Sequence, residues 1–303
     1  MNRFAPSTTG RAHPGTLLAA LLCWLDARHR SSPVILRLED LDPQRCTDAF
    51  RDGLLDDLQW LGLDWDQVER QGEHGARHAA ALDELAAAGR LYACTCSRAR
   101  LRERGRVGPD GGYAYDNQCR SRVLSSWRDC DAAIRIRIDA PVVVHDESGA
   151  DLSMDVAAAL GDPIVRRRDG AVAYHLASVV DDAALGVDRG VRGRDLATST
   201  APQVAIQQAL GLATPVYRHH LLLLERRGSK LAKFHGAVGA DVLRQHYQAP
   251  QLCAWLAAII GQPVPDDGCA PEDLIPGFSW HHVPAADQVV DWDGARLRIV
   301  DGE

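Results

Sequence analysis

The sequence lacks any apolar run of about 20 residues, the length that a helix needs to cross a bilayer. Its first residues, Met1 to Pro6, also lack the long apolar stretch of a secretory signal. With 46% hydrophobic and 25% charged residues, the chain can bury a large core in one elaborated domain or two smaller ones. We therefore expect a cytoplasmic protein that does not associate with membranes.

An excess of positive charge is also missing, since the formal net charge is −7. Bulk charge therefore argues against nucleic-acid binding, although a local basic face is still compatible with it. Arginines cluster between Arg98 and Arg106 and again between Arg166 and Arg168, whereas the tail is acidic. Each cluster is either a solvated face or a surface for a polyanion.

A disulfide framework is not expected from the eight cysteines, because a cytosolic compartment keeps thiols reduced. Cys94, Cys96 and Cys119 form one candidate group, and the others are scattered. Three buried thiols explain this group as well as a metal site does, since zinc prefers four tetrahedral ligands.

Strand and helix patterns alternate along much of the chain, which is typical of an open parallel sheet in an α/β protein. Strands are predicted at residues 3–7, 34–38, 132–144 and 220–224, and helices at 16–30, 47–61, 76–88 and 198–210. Thr47 is the predicted cap of the second helix. Residues 92–130 are rich in Cys, Arg and Gly and suit an insertion. From Gly236 the pattern is helical, with Leu252, Leu256, Ile259 and Ile260 on one face.

Two short segments carry candidate phosphate chemistry. In the first, a strand and a turn lead into a helix that begins just after Gly15, and helix N-termini hold phosphates through free N–H groups and positive potential. His13 can donate to a phosphate oxygen there, and Gly15 lets a nucleotide approach the backbone. In the second, Lys230 and Lys233 can neutralise a triphosphate. Taken singly, each segment is a weak signal.

Taken together, His13-Pro14-Gly15-Thr16 and Lys230-Leu231-Ala232-Lys233 resemble the two signature motifs of class I aminoacyl-tRNA synthetases. Other segments, in the same order, resemble the glutamyl branch: Arg3 to Gly10, Arg37 to Pro43, Val179 to Asp182, Val191 to Leu196 and His220 to Leu223. Ordinary glutamyl-tRNA synthetases continue into a long anticodon-binding part, whereas only residues 234–303 follow Lys233 here. The chain therefore resembles the glutamyl-Q tRNA(Asp) synthetase family.

The resemblance implies a class I synthetase Rossmann-type parallel sheet, split by a zinc-bearing insertion and followed by a short helical C-terminal part. The expected parts are residues 1–91 and 173–236 for the two halves of the catalytic domain, the second with the lysine loop. The insertion is expected at residues 92–172, and the helical part at residues 237–303.

The implied activity is that of a ligase which activates L-glutamate with ATP and Mg²⁺ without needing tRNA. The glutamate then passes to queuosine in the anticodon of tRNA(Asp), and the enzyme is expected to be a monomer. One alternative is a truncated glutamyl-tRNA synthetase that charges the 3′ end of tRNA(Glu). Another is a non-catalytic glutamate- or RNA-binding paralogue, because Ala232 stands where the motif usually carries Ser.

The resemblance also implies the site residues. His13, Lys230 and Lys233 are the implied catalytic residues, and ATP is expected at His13, Gly15, Thr16 and Lys233. Glu39 would bind the α-ammonium and Arg192 the side-chain carboxylate of glutamate, since such groups need an anion and a cationic fork. The full glutamate-binding set is Arg3, Phe4, Ala5, Pro6, Ser7, Glu39, Tyr174 and Arg192.

The cysteine group gains a fourth ligand from the resemblance, because the family carries Cys-x-Cys followed by Tyr-x-x-x-Cys. Cys94, Cys96, Tyr115 and Cys119 match this pattern and would hold one structural Zn²⁺, with Cys130 as the competing fourth ligand. A phenol has an ordinary pKa near 10, but a bound cation favours the phenolate. The zinc would pin the arginine-rich insertion against the RNA.

Overall fold

The computed structural model describes residues 1–225, 238–265 and 267–300, so the predicted lysine loop lies outside the described residues. The chain divides into two compact units. The first contains Met1–Arg70, Arg189–Asp195 and the residues from Tyr217 onward, and the second contains Gln71–Asp188 and Leu196–Val216. The second unit therefore interrupts the first twice along the sequence.

Helices and strands alternate in both units. The elements are, in chain order, β1 Asn2–Phe4, α1 Pro14–His29, β2 Val34–Leu38, α2 Asp48–Trp60, β3 Gln67–Arg70, α3 Gly75–Ala87, β4 Leu91–Cys94, α4 Arg98–Arg104, β5 Ala133–Ile136, α5 Val156–Ala159, β6 Ile164–Arg166, α6 Tyr174–Ala184, β7 Arg189–Gly193, α7 Ala197–Ala209, β8 Val216–His220, β9 Leu223–Leu224, α8 Ala240–Leu243, α9 Ala249–Ile259, β10 Gln288–Trp292 and β11 Leu297–Val300.

The first unit is built on a five-stranded sheet with the order β3-β2-β1-β7-β8. β1 runs parallel to both β2 and β7, and β2 runs parallel to β3. Within this sheet the strands follow the order 3-2-1-4-5, which is the doubly wound arrangement with a switch point between β1 and β7. The predicted α/β fold with a parallel sheet is confirmed.

Local sequence explains the elements around the switch point. All five residues of β2 are buried, as expected for a parallel strand covered on both faces. The predicted leucines of α1 are at most 1% exposed and pack in the core of this unit, namely Leu17, Leu18, Leu21, Leu22 and Leu25. The Thr47 hydroxyl accepts a hydrogen bond from the Phe50 amide (3.3 Å), so the predicted cap of α2 is present.

The C-terminal region contains the predicted helix, with Leu252, Leu256 and Ile259 buried on α9, and also two strands that the helical pattern did not predict. β10 pairs antiparallel with β11 and parallel with β9. Residues 293–296 join the two strands; Asp293 Oδ1 accepts from the amides of Ala295 and Arg296, and the φ of Gly294 is +97°. Asp-Gly between two apolar runs is a strong hairpin signal, because few other residues adopt this backbone conformation.

The second unit contains an antiparallel sheet with the order β4-β5-β6, together with α3, α6 and α7. Ile134 and Ile136 of β5 are fully buried, although the strand is shorter than predicted. The buried Asp181 carboxylate of α6 accepts from Gln71 Nε2 (2.8 Å) and is paired with His78 Nε2 (2.9 Å) of α3. In the part of the chain described, no helix has the length and apolarity needed to span a membrane.

Candidate active site

The candidate site lies in the first unit, at the switch point of its sheet. β1 and β7 are neighbours there, and ligands of doubly wound sheets bind in the crevice beyond the carboxyl ends of such strands. The predicted phosphate-binding turn follows β1, and Arg192 lies near the carboxyl end of β7. The topology therefore brings the two predicted regions to the same edge of the sheet.

His13 caps α1 and has its ring orientation fixed by the helix. Its Nδ1 accepts a hydrogen bond from the Thr16 amide at 3.3 Å. Because Nδ1 is the acceptor, a neutral ring carries its proton on Nε2. A Cβ on Gly15 would lie 3.1 Å from His13 Cε1, so the glycine leaves room for the ring. The arrangement suits an anion at the helix terminus.

Backbone pairing brings the turn after β1 beside Glu39. Glu39 N donates to Pro6 O (3.0 Å), and Thr8 N donates to Glu39 O (3.3 Å). The Glu39 carboxylate accepts from the fully buried Arg37 at 3.2 Å. The anionic group predicted to bind the α-ammonium is therefore anchored next to the Phe4–Ser7 segment.

Arg3 and Arg192 are both buried, and they lie on the neighbouring strands β1 and β7. A Cβ on Gly190 would lie 3.5 Å from Arg3 Nη1 and 3.1 Å from Tyr217 Cδ1, so the glycine permits this close approach. Arg192 Cζ lies 4.8 Å from the centroid of the Tyr217 ring. Arg192 Nε donates to His219 Nε2 at 3.0 Å, which requires a lone pair on that nitrogen. Two buried guanidinium groups therefore lie on the two strands that form the switch point.

Tyr217 and His219 were not among the predicted site residues. They alternate along β8 and so lie on the same face of the strand, with their rings stacked at 6.4 Å between centroids. The strand was predicted to begin at His220, which left both residues outside it. The Tyr-x-His alternation before that point was the signal that could have identified them.

The other predicted site residues lie in the core, in the second unit or outside the described residues. The Phe4 side chain is in the core, stacked on Trp65 at 5.8 Å between ring centroids, so a substrate contact would use its backbone. Tyr174 begins α6 in the second unit, with its ring 5.4 Å from that of His175. Lys230 and Lys233 lie outside the described residues. Their predicted roles therefore rest on the sequence.

A buried polar network supports the amino ends of the two switch strands, β1 and β7, and no sequence motif predicted it. Asp26 of α1 accepts from Arg189 Nε (2.6 Å) and Nη2 (2.9 Å), from Trp280 Nε1 (2.7 Å) and from Asn2 Nδ2 (3.2 Å). Asn2 Oδ1 in turn accepts from the amide of Arg3 at 2.8 Å. The network therefore holds β1 beside β7 just before the site residues.

In the second unit, the thiols of Cys94, Cys96 and Cys119 form the predicted cluster, with their sulfurs all within 4.8 Å of one another. The Tyr115 hydroxyl accepts from the Cys119 amide at 2.8 Å. Cys130 is not part of this group of sulfurs and lies 3.8 Å from Ala132 O. Among the residues described, Tyr115 rather than Cys130 therefore sits with the three thiols.

The electrostatics of this cluster suit a cation. Burial raises the pKa of Cys94, but a hydrogen bond and the charge of Arg135 outweigh it, and the net pKa is lowered. Burial and the charge of Cys94 raise the pKa of Cys96 to about 11, and burial also raises the pKa of Tyr115. A dication would offset the repulsion among these groups when they ionise. Three sulfurs with one phenol oxygen thus fit a single zinc ion.

Comparison with known proteins gives matches along most of the chain. Residues 1–259 match the family described as tRNA synthetases class I (E and Q), catalytic domain. The chain is 38% identical over 297 residues to Glutamate–tRNA ligase 2 of Jannaschia sp., covering 94% of this chain and 66% of that protein. It is 38% identical over 270 residues to Glutamyl-Q tRNA(Asp) synthetase of Synechococcus sp., covering 88% of each.

A solved structure has the same fold. It is a glutamate tRNA ligase from Elizabethkingia meningosepticum in complex with its amino acid, with a TM-score of 0.77 at 22% identity. The alignment covers 97% of this chain and 67% of that one. At this identity the match concerns the fold alone.

Proposed function

Because the chain belongs to the family of class I glutamyl- and glutaminyl-tRNA synthetase catalytic domains, we propose that it activates L-glutamate with ATP and transfers it to queuosine in the anticodon of tRNA(Asp). The observation that carries the choice of glutamate is the pair of buried guanidinium groups, Arg3 and Arg192, on the neighbouring strands β1 and β7. Guanidinium forks match carboxylates in geometry and charge. The matches to several relatives named Glutamyl-Q tRNA(Asp) synthetase cover about nine tenths of the length of those relatives.

In the proposed reaction, the α-carboxylate of glutamate attacks the α-phosphate of ATP, and pyrophosphate leaves. No protein nucleophile is needed, so catalysis consists of positioning and charge stabilisation. His13 Nε2 would donate to a phosphate oxygen, and Lys233 would neutralise the leaving pyrophosphate. Mg²⁺ arrives with ATP and bridges its phosphates. The glutamate then forms an ester with a queuosine hydroxyl.

The test is glutamate-dependent exchange between ATP and pyrophosphate, measured without RNA. Exchange is expected with glutamate and not with glutamine, because glutamine would leave Arg192 facing a neutral amide. Sites built on such pairing reject analogues by factors of about 10⁴. Equal exchange with both amino acids would contradict the pocket assignment. No exchange with either would favour the non-catalytic paralogue, for which Ala232 is the sequence argument.

A second candidate function is the charging of the 3′ end of tRNA(Glu), and the match to a glutamate–tRNA ligase favours it. Mass spectrometry of nuclease digests identifies the nucleotide that carries glutamate. A glutamylated queuosine from tRNA(Asp) supports the first proposal, and a glutamylated terminal adenosine from tRNA(Glu) supports the second. We also propose that the enzyme acts as a monomer in the cytoplasm.

A structural zinc ion is part of the same proposal. Cys94, Cys96 and Cys119 would supply three thiolates and Tyr115 a phenolate, and the ion would fix the start of the arginine-rich segment that includes α4. Helix α4 has no buried residue, so the cluster and not a core is expected to hold it. Its exposed arginines would face the RNA phosphates.

A further inference from the structure

A groove in the C-terminal part of the first unit shares no residue with the candidate active site. It lies between helix α9 and the β10–β11 hairpin and has a volume of about 420 Å³. Its lining combines aromatic rings, an amide and two guanidinium groups, namely Tyr247, Gln251, Trp255, Arg296 and Arg298, with Ala254, Gly268 and Leu297. Volumes of about 300–1,000 Å³ are those of small-ligand sites.

The aromatic wall of the groove is well anchored. Tyr247 is buried, and its hydroxyl accepts from the Leu297 amide of the hairpin at 2.8 Å. Arg296 Cζ lies 4.7 Å from the Tyr247 ring centroid. The half-buried Trp255 packs against the core of the unit and also lines the groove. A planar group that enters would therefore meet rings and a guanidinium plane that are already in position.

The lining of the groove is positively charged, whereas the C-terminal region that forms it is rich in acidic residues. Arg298 is paired with Asp293 at 2.6 Å, yet its side chain is still 67% exposed. Arg296 is exposed as well, and Asp291 is the register partner of Arg298 on β10, but the lining of the groove itself holds two guanidinium groups and no carboxylate. An anion bound here would be attracted locally, although the whole chain carries a net charge of −7.

Aromatic rings beside guanidinium groups are the combination that binds an unstacked nucleotide, since every base has a π-face and every phosphate a charge. We propose that this groove binds one nucleotide, with its base against Trp255 and its phosphate at Arg296 and Arg298. The inference rests on the proposed function, because the expected source of the nucleotide is the RNA substrate. A free mononucleotide has the same chemistry and is the alternative source.

The experiment uses the full chain and two probes, a fluorescein-labelled tRNA(Asp) transcript followed by anisotropy at several KCl concentrations, and uridine monophosphate followed by calorimetry. Arg296→Ala with Arg298→Ala should weaken RNA binding by about 10-fold or more. It should also lower the salt slope of log affinity by about 1, because the contact with one phosphate is lost. Trp255→Ala should weaken binding about 10-fold at all salt concentrations, and Trp255→Phe should restore most of it.

Arg30→Ala is the matched control, since it removes one exposed charge at the end of α1 without touching the groove. Glutamate-dependent exchange without RNA should be unchanged in every variant, which separates this proposal from the proposed function. Loss of uridine monophosphate binding, with RNA binding intact, would support the groove with a free nucleotide as its ligand. Wild-type affinity for both probes in the arginine and Trp255→Ala variants would overturn the proposal, even if the enzyme is active in exchange.

Discussion

Replacing Asp26 with alanine tests whether the buried polar network at the start of β1 and β7 stabilises the first unit. The Asp26 carboxylate is 1% exposed and receives four hydrogen bonds, two from Arg189 and one each from Trp280 and Asn2. Arg189 is itself only 6% exposed. Asp26→Ala would therefore leave a buried cation and two further donors without this acceptor.

The expected cost follows from that burial. Breaking a buried ion pair by removing one partner costs about 3–5 kcal/mol, because the remaining charge is kept from water. Thermal midpoints of domains move by about 2–4 °C per kcal/mol, so a drop of about 6–20 °C is expected. Asp52→Ala is the control, since Asp52 is 63% exposed and water screens its pair with Arg51.

Urea unfolding and thermal melting of the two variants would measure this difference. A second measurement concerns the site, because Asn2 holds the Arg3 amide and depends on Asp26 for its orientation. We therefore expect Asp26→Ala to raise the KM for glutamate at a temperature where the variant is folded. If Asp26→Ala were no more destabilising than Asp52→Ala, the network would not be a buried ion pair.

Three further predictions concern single residues. Cys96→Ser should abolish stoichiometric zinc in metal analysis and leave the sheet of the first unit folded by circular dichroism, whereas Cys46→Ser should retain the metal. Burial lowers the pKa of His220 from 6.5 to about 4, so its stabilising contribution is complete above pH 6.5 and is lost as pH falls toward 4. The loss amounts to about 3 kcal/mol in the free energy of unfolding, and it should be absent when His220→Asn is unfolded in urea across the same pH range. Lys233→Ala should lower exchange turnover by about 10²-fold, and Lys230→Ala should lower it less; full turnover in Lys233→Ala would remove the loop as the ATP clamp.

Local signals made the first half of the fold predictable. Helix α1 was predicted over residues 16–30 and begins two residues earlier, at Pro14, whose fixed φ suits the first position of a helix; Thr47 caps α2 as predicted. The buried apolar runs of α1 and β2 predict a sheet covered by helices. Motif positions then follow from topology, because parallel strands place their carboxyl ends at one edge.

Interactions between distant parts of the chain were not predictable in the same way. Asp26 and Arg189 are separated by 163 residues, and each alone reads as an ordinary charged residue. Trp280 reaches the same carboxylate from the C-terminal region, which was expected to be helical. Contacts between residues so far apart in the chain cannot be predicted from one sequence. The hairpin, in contrast, could have been predicted from the Asp293-Gly294 pair between two apolar runs.

The border between β1 and β7 shows how these distant contacts produce the site. β1 follows β2 in register through three residue pairs, but it has one register pair with β7, Asn2 with Arg189. At that pair, side chains add to the backbone pairing, since Asn2 Oδ1 accepts from the amides of Arg3 (2.8 Å) and Val191 (3.5 Å). The strands are therefore paired at their amino ends, and Arg3 and Arg192 follow this register pair toward the carboxyl ends. Residues outside every recognised motif, Asn2 and Asp26, thus determine where the motif residues meet.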